Sequence, residues 1–234
     1  KMFAGETGSD QLTKLNAYNG YVAKQGSARF AQERWLNPMA LSSIGRYKSQ
    51  YFETLHKSGF LPDAHTSRSV SSNFNSLFMD TSTYSHHSSN IALVKACICA
   101  GLFPNVALGL TQEKKNNKNE LRNLRLKMTD KIALNSKSAV GAMLGKPDVS
   151  KIIVYDDIFK VKEDRVNNAT VVSIWGILLF GAAPELIEHK KNLGLGVIDE
   201  WIMFKSSPET IQGILKLKKL LDECIWRKLR YPRD

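Results

Sequence analysis

The segment Lys151-Ile-Ile-Val-Tyr-Asp-Asp-Ile-Phe-Lys-Val161 is one of five strand-like segments that predict the fold class of this chain. It is rich in β-branched and aromatic residues, a composition typical of a β-strand. Further segments of the same kind lie around it, separated by Gly, Asn, Pro or charged residues, and the five together are 106–110, 121–128, 131–134, 151–161 and 170–180. No helical pattern lies between them, so they predict a small antiparallel barrel. A sixth apolar stretch, 197–204, is expected to add to its edge.

Helical periodicity lies on both sides of this strand-rich part. Ser9 or Asp10 can cap a first helix, and Asn37-Pro38 begins a longer one, with an apolar stripe, that ends at Gly59. A helix over 91–100 has almost no polar face, so we expect it to be buried. The C-terminal helix is expected to turn its apolar stripe inward and these cations outward: Lys216, Lys218, Lys219, Arg227, Lys228 and Arg230.

The predicted fold class is α+β, with an α-helical segment, a five-stranded antiparallel barrel and a C-terminal helix. The predicted boundaries are 1–104 for the helical region, 105–205 for the barrel and 206–234 for the last helix, which would pack on a neighbour. Residues 61–89 are rich in Ser and Thr and lack periodicity, which predicts a flexible loop within the helical region.

Composition narrows the class of protein. The chain has 234 residues, a net charge of +11 and 43% hydrophobic residues, as an ordinary folded protein does. No run of 18 apolar residues exists, which excludes a membrane-spanning helix. Three cysteines are too few for a disulfide framework, which favours a reducing, intracellular compartment, cytoplasmic or nuclear. The first residues lack the features of a signal peptide, and we expect the chain to begin inside a larger protein.

Patterns that resemble catalytic motifs are incomplete. Gly5-Glu-Thr-Gly-Ser9 resembles the start of a phosphate-binding loop, but Asp10 stands where the phosphate-binding lysine is needed. Cys97 and Cys99 lack a second pair of ligands, so buried thiols are a better interpretation than a zinc site. We therefore predict no catalytic residue, no metal and no cofactor in this segment.

Positive charge is concentrated in one part of the barrel. Residues 111–137 contain eight lysines and arginines against three acidic residues. Arg125 and Lys127 share one face of a predicted strand, because successive strand residues alternate in direction. A cationic barrel face attracts a polyanion, which favours nucleic-acid binding, whereas the simpler alternative is a solvated hairpin.

Two stretches of the chain form recognisable motifs. The first is Ser9-Asp10-Gln11-Leu12 followed by Leu15-Asn16-Ala17-Tyr18, and the second, long and specific, is Lys95-Ala-Cys-Ile-Cys-Ala-Gly-Leu-Phe-Pro-Asn-Val-Ala107. They resemble motifs of the DEAH/RNA helicase A-type RNA helicases, in which the first reads Ser-Asp-His and a Leu-Asn-Ala-Tyr/Phe run. The resemblance covers nearly the whole chain apart from 61–89. It implies the end of the helicase-associated (ratchet) region, an oligonucleotide-binding (OB) fold, and RecA-like motor domains upstream.

The resemblance also implies where RNA binds. The family has an RNA-contacting loop at the position of Asn135, Ser136, Lys137 and Ser138, although its histidine is Asn135 here. Lys160 is the surviving cation of a neighbouring family motif, in which Ile158 replaces the other cation. The predicted nucleic-acid-binding residues are the four loop residues and Lys160, together with Arg125, Lys127, Ser9, Asp10 and Gln11. Gln11 replaces a family histidine.

The resemblance implies an enzyme as the intact parent, an ATP-dependent RNA helicase that needs ATP and magnesium in its motor domains. The expected partners of this segment are single-stranded RNA, the upstream RecA-like domains of the same chain and regulatory proteins. Two alternatives stay open: a stand-alone single-strand-binding protein, and an adaptor surface for protein partners. No membrane partner is expected.

Overall fold

A computed structural model of the chain describes residues 2–61, 85–110, 123–129, 132–144, 146, 149–160, 163–189 and 193–233. The chain divides into two compact units, one made of Lys1–Lys14 and His87–Asp222 and the other of Leu15–His86 and Glu223–Asp234. The described helices are α1 (Asp10–Ala23), α2 (Ala28–Glu33), α3 (Pro38–Lys57), α4 (Ile91–Leu102), α5 (Val140–Leu144), α6 (Ile174–Phe180) and α7 (Pro208–Arg230). The described strands are β1 (Val106–Gly109), β2 (Asn123–Arg125), β3 (Ile132–Leu134), β4 (Ile152–Lys160), β5 (Asp164–Val172), β6 (Glu185–His189), β7 (Leu193–Ile198) and β8 (Ile202–Ser206).

Five strands close into a barrel in the order β1-β2-β3-β5-β4, and β4 pairs with β1. The predicted antiparallel barrel is wrong, because β3 and β5 run parallel, with Ala133 opposite Arg165 and Leu134 opposite Val166. A parallel pair needs a long crossover between its strands. Here α5 and β4 supply that crossover. A two-residue hydrophobic period reveals which face of a strand is buried, but it does not reveal the direction of the neighbouring strand.

The predicted strand over 170–180 is also wrong. β5 begins earlier, at Asp164, and ends at Val172, and Ser173 then caps α6 by accepting a hydrogen bond from the N–H of Gly176 at 3.2 Å. α6 is apolar on most sides, and its Ile177 and Leu178 are buried. A short, fully apolar run does not distinguish a buried strand from a buried helix.

A second sheet has the order β6-β7-β8 and is antiparallel throughout. The stretch 197–204 was expected to add to the barrel edge, but it is divided between β7 and β8 of this sheet. Asp199 and Glu200 form the turn between these strands, both with positive φ (51° and 66°). The apolar residues on either side of this turn therefore belong to two paired strands rather than to one.

Two hydrophobic clusters hold the barrel unit together. One fills the barrel interior and includes Leu124, Ile153 and Val166, which are fully buried. The other lies outside the barrel and includes Val154 and Ile177. Because β4 alternates from Ile153 to Val154, the same strand contributes to both clusters. Its near-continuous apolar run follows from burial on both faces.

For the helices, the predicted N-terminal cap of α3 is confirmed, whereas the predicted burial of α4 and the predicted exposure of Lys218 in α7 are wrong. Asn37 caps α3 by accepting hydrogen bonds from the N–H groups of Met39 and Ala40 at 2.9 and 3.2 Å, which confirms the predicted start. In α4, however, Cys99 is the one buried residue among those described, and Cys97 is exposed. In α7, Lys218 is buried, contrary to its predicted outward position. No described helix is long and apolar enough to cross a membrane.

Candidate nucleic-acid interface

The first residues of α1 are bonded to β5 through a chain of hydroxyl and amide groups. Thr170 Oγ1 donates to Gln11 Oε1 at 2.5 Å, so the 2.5 Å contact between Thr170 Oγ1 and Ser9 Oγ needs Ser9 as the donor. Gln11 Nε2 then donates to the carbonyl oxygen of Asn168 at 2.6 Å. Ser9 is fully buried, and its Oγ also accepts from the N–H of Leu12 at 3.1 Å. The polar atoms of Ser9 and Gln11 therefore hold the first turn of α1 against β5.

The Asp10 carboxylate joins three segments of the chain. Its Oδ1 accepts from the N–H of Ala139 at 2.7 Å. Its Oδ2 accepts from Ser138 Oγ at 2.7 Å and from the N–H of Ala169 at 2.9 Å. The turn before α1 therefore does not act as a phosphate-binding loop, because the carboxylate that replaces the lysine is occupied by backbone and hydroxyl donors. Asp10 instead holds the 135–138 loop against β5.

The same loop is fixed on its other side by two asparagines. Asn135 Nδ2 donates to Asn167 Oδ1 at 3.0 Å, and the N–H of Lys137 donates to Asn135 Oδ1 at 3.0 Å. Ser136 and Lys137 are exposed at the tip of the loop, whereas Asn135 and Ser138 are partly buried. The structure thus presents one cation and one hydroxyl on a loop whose neighbouring side chains are tied to the barrel.

Arg125 and Lys127 are both exposed, and the buried Leu124 and Leu126 alternate with them. The strand ends earlier than predicted, because Arg125 is the last residue of β2 and Lys127 follows it. Lys127 Nζ lies 3.0 Å from Glu200 Oε2 and 3.3 Å from Asp199 Oδ1. The hydrogen bond to Glu200, and then the one to Asp199, raise the pKa of Lys127 above its ordinary value. These two carboxylates offset its charge, so Lys127 is a weaker partner for phosphate than its sequence position suggests.

Lys160 is the last residue of β4 and is exposed, opposite Asp164 in the strand register. Asn135 follows β3 and donates its N–H to the carbonyl oxygen of Val166. The two are therefore at the levels of Asp164 and of Val166 or Asn167, two or three residues apart, which is roughly 7–10 Å along β5 at about 3.3 Å per residue. Lys160 and the 135–138 loop therefore follow different strands, β4 and β3, which flank β5 on its two sides.

The comparison with known proteins bears on what this surface does. No protein-family model matches the chain. It is 33% identical to RNA editing associated helicase 2 of Trypanosoma brucei brucei over 97% of the chain and 11% of that protein. It is 24% identical to DExH-box ATP-dependent RNA helicase DExH1 of Arabidopsis thaliana, over 99% of the chain and 21% of that protein. With ATP-dependent DNA/RNA helicase DHX36 of Mus musculus the identity is 29%, over 99% of the chain and 22% of the relative.

The chain is homologous to DExH/DEAH RNA helicases. It spans between 11% and 22% of the length of these three relatives, consistent with a C-terminal region of such a helicase. The predicted family resemblance is confirmed over almost the entire chain.

Sequence reasoning missed the residues of β5 that border this surface. Asn167 and Asn168 bind the loop and α1, and Asn168 has a φ of 49°, in the left-handed region. Its side chain accepts from Lys14 Nζ at 2.5 Å and donates to Asp156 Oδ2 at 3.1 Å. Two consecutive asparagines are unfavourable inside a strand, and this was the available signal. Asparagine also tolerates positive φ better than most residues, which suits a local distortion of β5.

Part of the predicted charge cluster lies outside the described residues. This applies to Lys114, Lys115, Lys118, Arg122 and Lys131. It applies equally to 62–84, most of the loop predicted over 61–89. The described part of the cluster consists of Arg125, Lys127 and Lys137, of which Lys137 is at the tip of the anchored loop.

Proposed function

We propose that this chain is the C-terminal RNA-binding accessory region of an ATP-dependent DExH/DEAH RNA helicase. It guides single-stranded RNA, while RecA-like domains elsewhere in the parent protein bind ATP and magnesium and carry out unwinding. The observation that carries this proposal is the anchored 135–138 loop, which exposes Lys137 and Ser136 beside the amide of Asn135. The names of the homologous proteins, all helicases, support the same conclusion.

The chemistry of this loop suits a sugar–phosphate backbone. Lys137 supplies a cation, and Ser136 supplies a hydroxyl that donates a hydrogen bond to any phosphate, whatever the base. Arg125 and Lys160 extend the cationic surface along the barrel, while the ion pairs of Lys127 reduce its share. Ser9, Asp10 and Gln11 have a supporting role, because their polar atoms hold the loop and β5 in place. Binding should therefore depend little on sequence.

The test is the affinity of the full chain for a single-stranded RNA, measured by fluorescence anisotropy. Lys137→Ala should weaken binding by about 1 kcal/mol, because solvent screens the contact of an exposed lysine with a phosphate. The matched control is Lys24→Ala, which removes an exposed lysine of the same charge just after α1. Equal affinities for the two variants, with both folded by circular dichroism, would place the RNA elsewhere and contradict this assignment of the site.

A protein-binding role is the second candidate, and one observation favours it. Large apolar side chains are exposed along α7 and in the second unit, including Trp226 at 71% and Trp35 at 95%. Exposed tryptophans are enriched at protein interfaces. If RNA binding proved weak and insensitive to salt, a partner surface for the rest of the helicase, or for regulatory proteins, would become the better account.

A further inference from the structure

Asn167 and Asp157 form a donor–acceptor pair beside the anchored loop. The two residues are direct partners in the antiparallel register of β4 and β5. Directly opposed residues have Cβ atoms roughly 4.5–5.5 Å apart and point to the same face. Asn167 is also bonded to Asn135, so this pair adjoins the 135–138 loop.

The orientation of the Asn167 amide follows from its neighbours. The N–H of Lys137 can only donate, so Asn135 turns its Oδ1 toward Lys137 and its Nδ2 toward Asn167. Asn167 must then present Oδ1 to Asn135, so its own Nδ2 takes no part in this hydrogen bond. In the described part of the chain, this NH₂ group has no partner of its own. Asn167 is therefore available as a hydrogen-bond donor.

Asp157 supplies the opposite chemistry. Its side chain is exposed, and a carboxylate accepts hydrogen bonds but does not donate them. It would repel a phosphate placed directly against Asn167. A neutral hydroxyl, in contrast, accepts from the amide and donates to the carboxylate at the same time. Two hydrogen bonds of about 2.8 Å at one hydroxyl oxygen separate their outer atoms by roughly 4.5 Å, which two short side chains on opposed strand positions can span.

We propose that Asn167 and Asp157 bind a ribose 2′-hydroxyl and so make this surface prefer RNA over DNA. The 2′-hydroxyl is the group by which a protein distinguishes RNA from DNA at a given site. In this arrangement Lys137 binds a phosphate, and the β4–β5 pair binds the sugar of a nearby nucleotide. The inference rests on the proposed function, because it requires single-stranded RNA at the 135–138 loop.

The experiment compares Kd values of the full chain for an oligouridylate and for the oligodeoxyuridylate of equal length. In the unchanged protein the RNA should bind about three- to tenfold more tightly, as one or two hydrogen bonds allow. Asn167→Asp keeps the oxygen that Asn135 needs but replaces the donor, so the ratio of the two Kd values should fall toward one. Asp157→Ala should also reduce the ratio, while the absolute affinity for both oligonucleotides is retained or increased. Asn19→Asp, the same chemical change at an exposed position of α1, is the matched control and should leave the ratio unchanged.

Oligouridylates with a single 2′-deoxy substitution locate the contact. One position should weaken binding to the unchanged protein but not to Asn167→Asp. Equal affinity of the unchanged protein for both oligonucleotides, or an unaltered ratio in folded Asn167→Asp, would overturn the inference. Lys137→Ala distinguishes failure of this inference from failure of the proposed function. If Lys137→Ala weakens RNA binding but Asn167→Asp leaves the ratio of the two Kd values unchanged, the proposed function stands and this inference fails. If Lys137→Ala has no effect on RNA binding, the proposed RNA site itself fails.

Discussion

At the scale of single residues, a few side chains hold segments that are far apart in the chain. Asp10 accepts hydrogen bonds from residues 128, 129 and 159 positions away in the sequence. Ser9 and Gln11 add contacts to β5. Such groups matter because an unpaired polar atom within a packed region costs more than its hydrogen bond contributes.

Asp10→Ala should destabilise the barrel unit by about 1.5–3 kcal/mol, since hydrogen bonds to a charged group are lost and their donors remain. Asp10→Asn should lose less, because one amide oxygen can still accept. Urea denaturation followed by circular dichroism measures both. Glu6→Gln is the control. The Glu6 side chain is 92% exposed, and its one described ion pair is long, with 3.9 Å between Glu6 Oε1 and Lys146 Nζ. A stability of Asp10→Ala equal to that of this control would contradict the structural role.

The three cysteines should differ sharply in reactivity. Burial raises the pKa of Cys99 to about 11, whereas Cys97 and Cys224 are exposed. The thiolate is the reactive species, so alkylation at pH 8 should modify the exposed pair and spare Cys99 in the folded chain. As pH rises toward 11, Cys99 should begin to react. Mass spectrometry after iodoacetamide treatment reports each site, and rapid labelling of Cys99 at pH 8 would contradict its burial.

At the scale of secondary-structure elements, the second sheet contains a glycine under an aromatic ring. Gly196 on β7 is the register partner of Phe204 on β8. A Cβ added to Gly196 would overlap the ring of Phe204, well inside van der Waals contact. The Phe204 ring can therefore lie against the backbone of β7 only because residue 196 has no side chain.

Gly196→Ala should consequently destabilise the protein by about 1–3 kcal/mol, although alanine normally suits a strand better than glycine. The double variant Gly196→Ala/Phe204→Leu should lose less than the sum of the two single variants, because the smaller side chain leaves room for the methyl group. Thermal melts of the unchanged protein, the two single variants and the double variant complete this double-mutant cycle. Additive losses would show that the ring and the glycine do not interact.

At the scale of the whole molecule, the net charge of +11 favours a polyanionic partner. The charge available to that partner is smaller than the count suggests, since Lys127 and Lys218 are paired with carboxylates. Lys218 donates to the carbonyl oxygen of Leu179 as well as to Asp222, so it contributes to packing between α7 and α6.

RNA affinity should fall with salt in proportion to the phosphates neutralised. For about four phosphates on a single strand, the slope of log K against log salt should be about −3, from roughly 0.7 per phosphate. Lys137→Ala should reduce the magnitude of the slope, whereas Lys127→Ala should change it less because two acidic residues already pair with Lys127. Anisotropy titrations at several salt concentrations measure this. A flat response would favour the protein-binding alternative.

The sequence by itself determined features that neighbouring residues encode. Asn37-Pro38 sets the start of α3, and Gly59, with a φ of 82°, follows its end. The pattern around Ile153 predicted β4, and the motifs quoted above predicted the resemblance to DExH/DEAH RNA helicases. These features were predictable because caps, turns and periodicity depend on contacts within a few positions of the chain.

Only the tertiary structure decided which distant residues meet. In the folded chain β5 runs parallel to β3, and Lys218 is buried. Asp10, which the sequence showed only as a mismatch to a phosphate-binding loop, accepts hydrogen bonds that hold the 135–138 loop. Asn167 of β5 is hydrogen-bonded to Asn135, so the candidate site includes β5 as well as the 135–138 loop. The physical reason is that strand direction and side-chain partners depend on the path of the chain between contacting segments, and local hydrophobic patterns carry no information about that path.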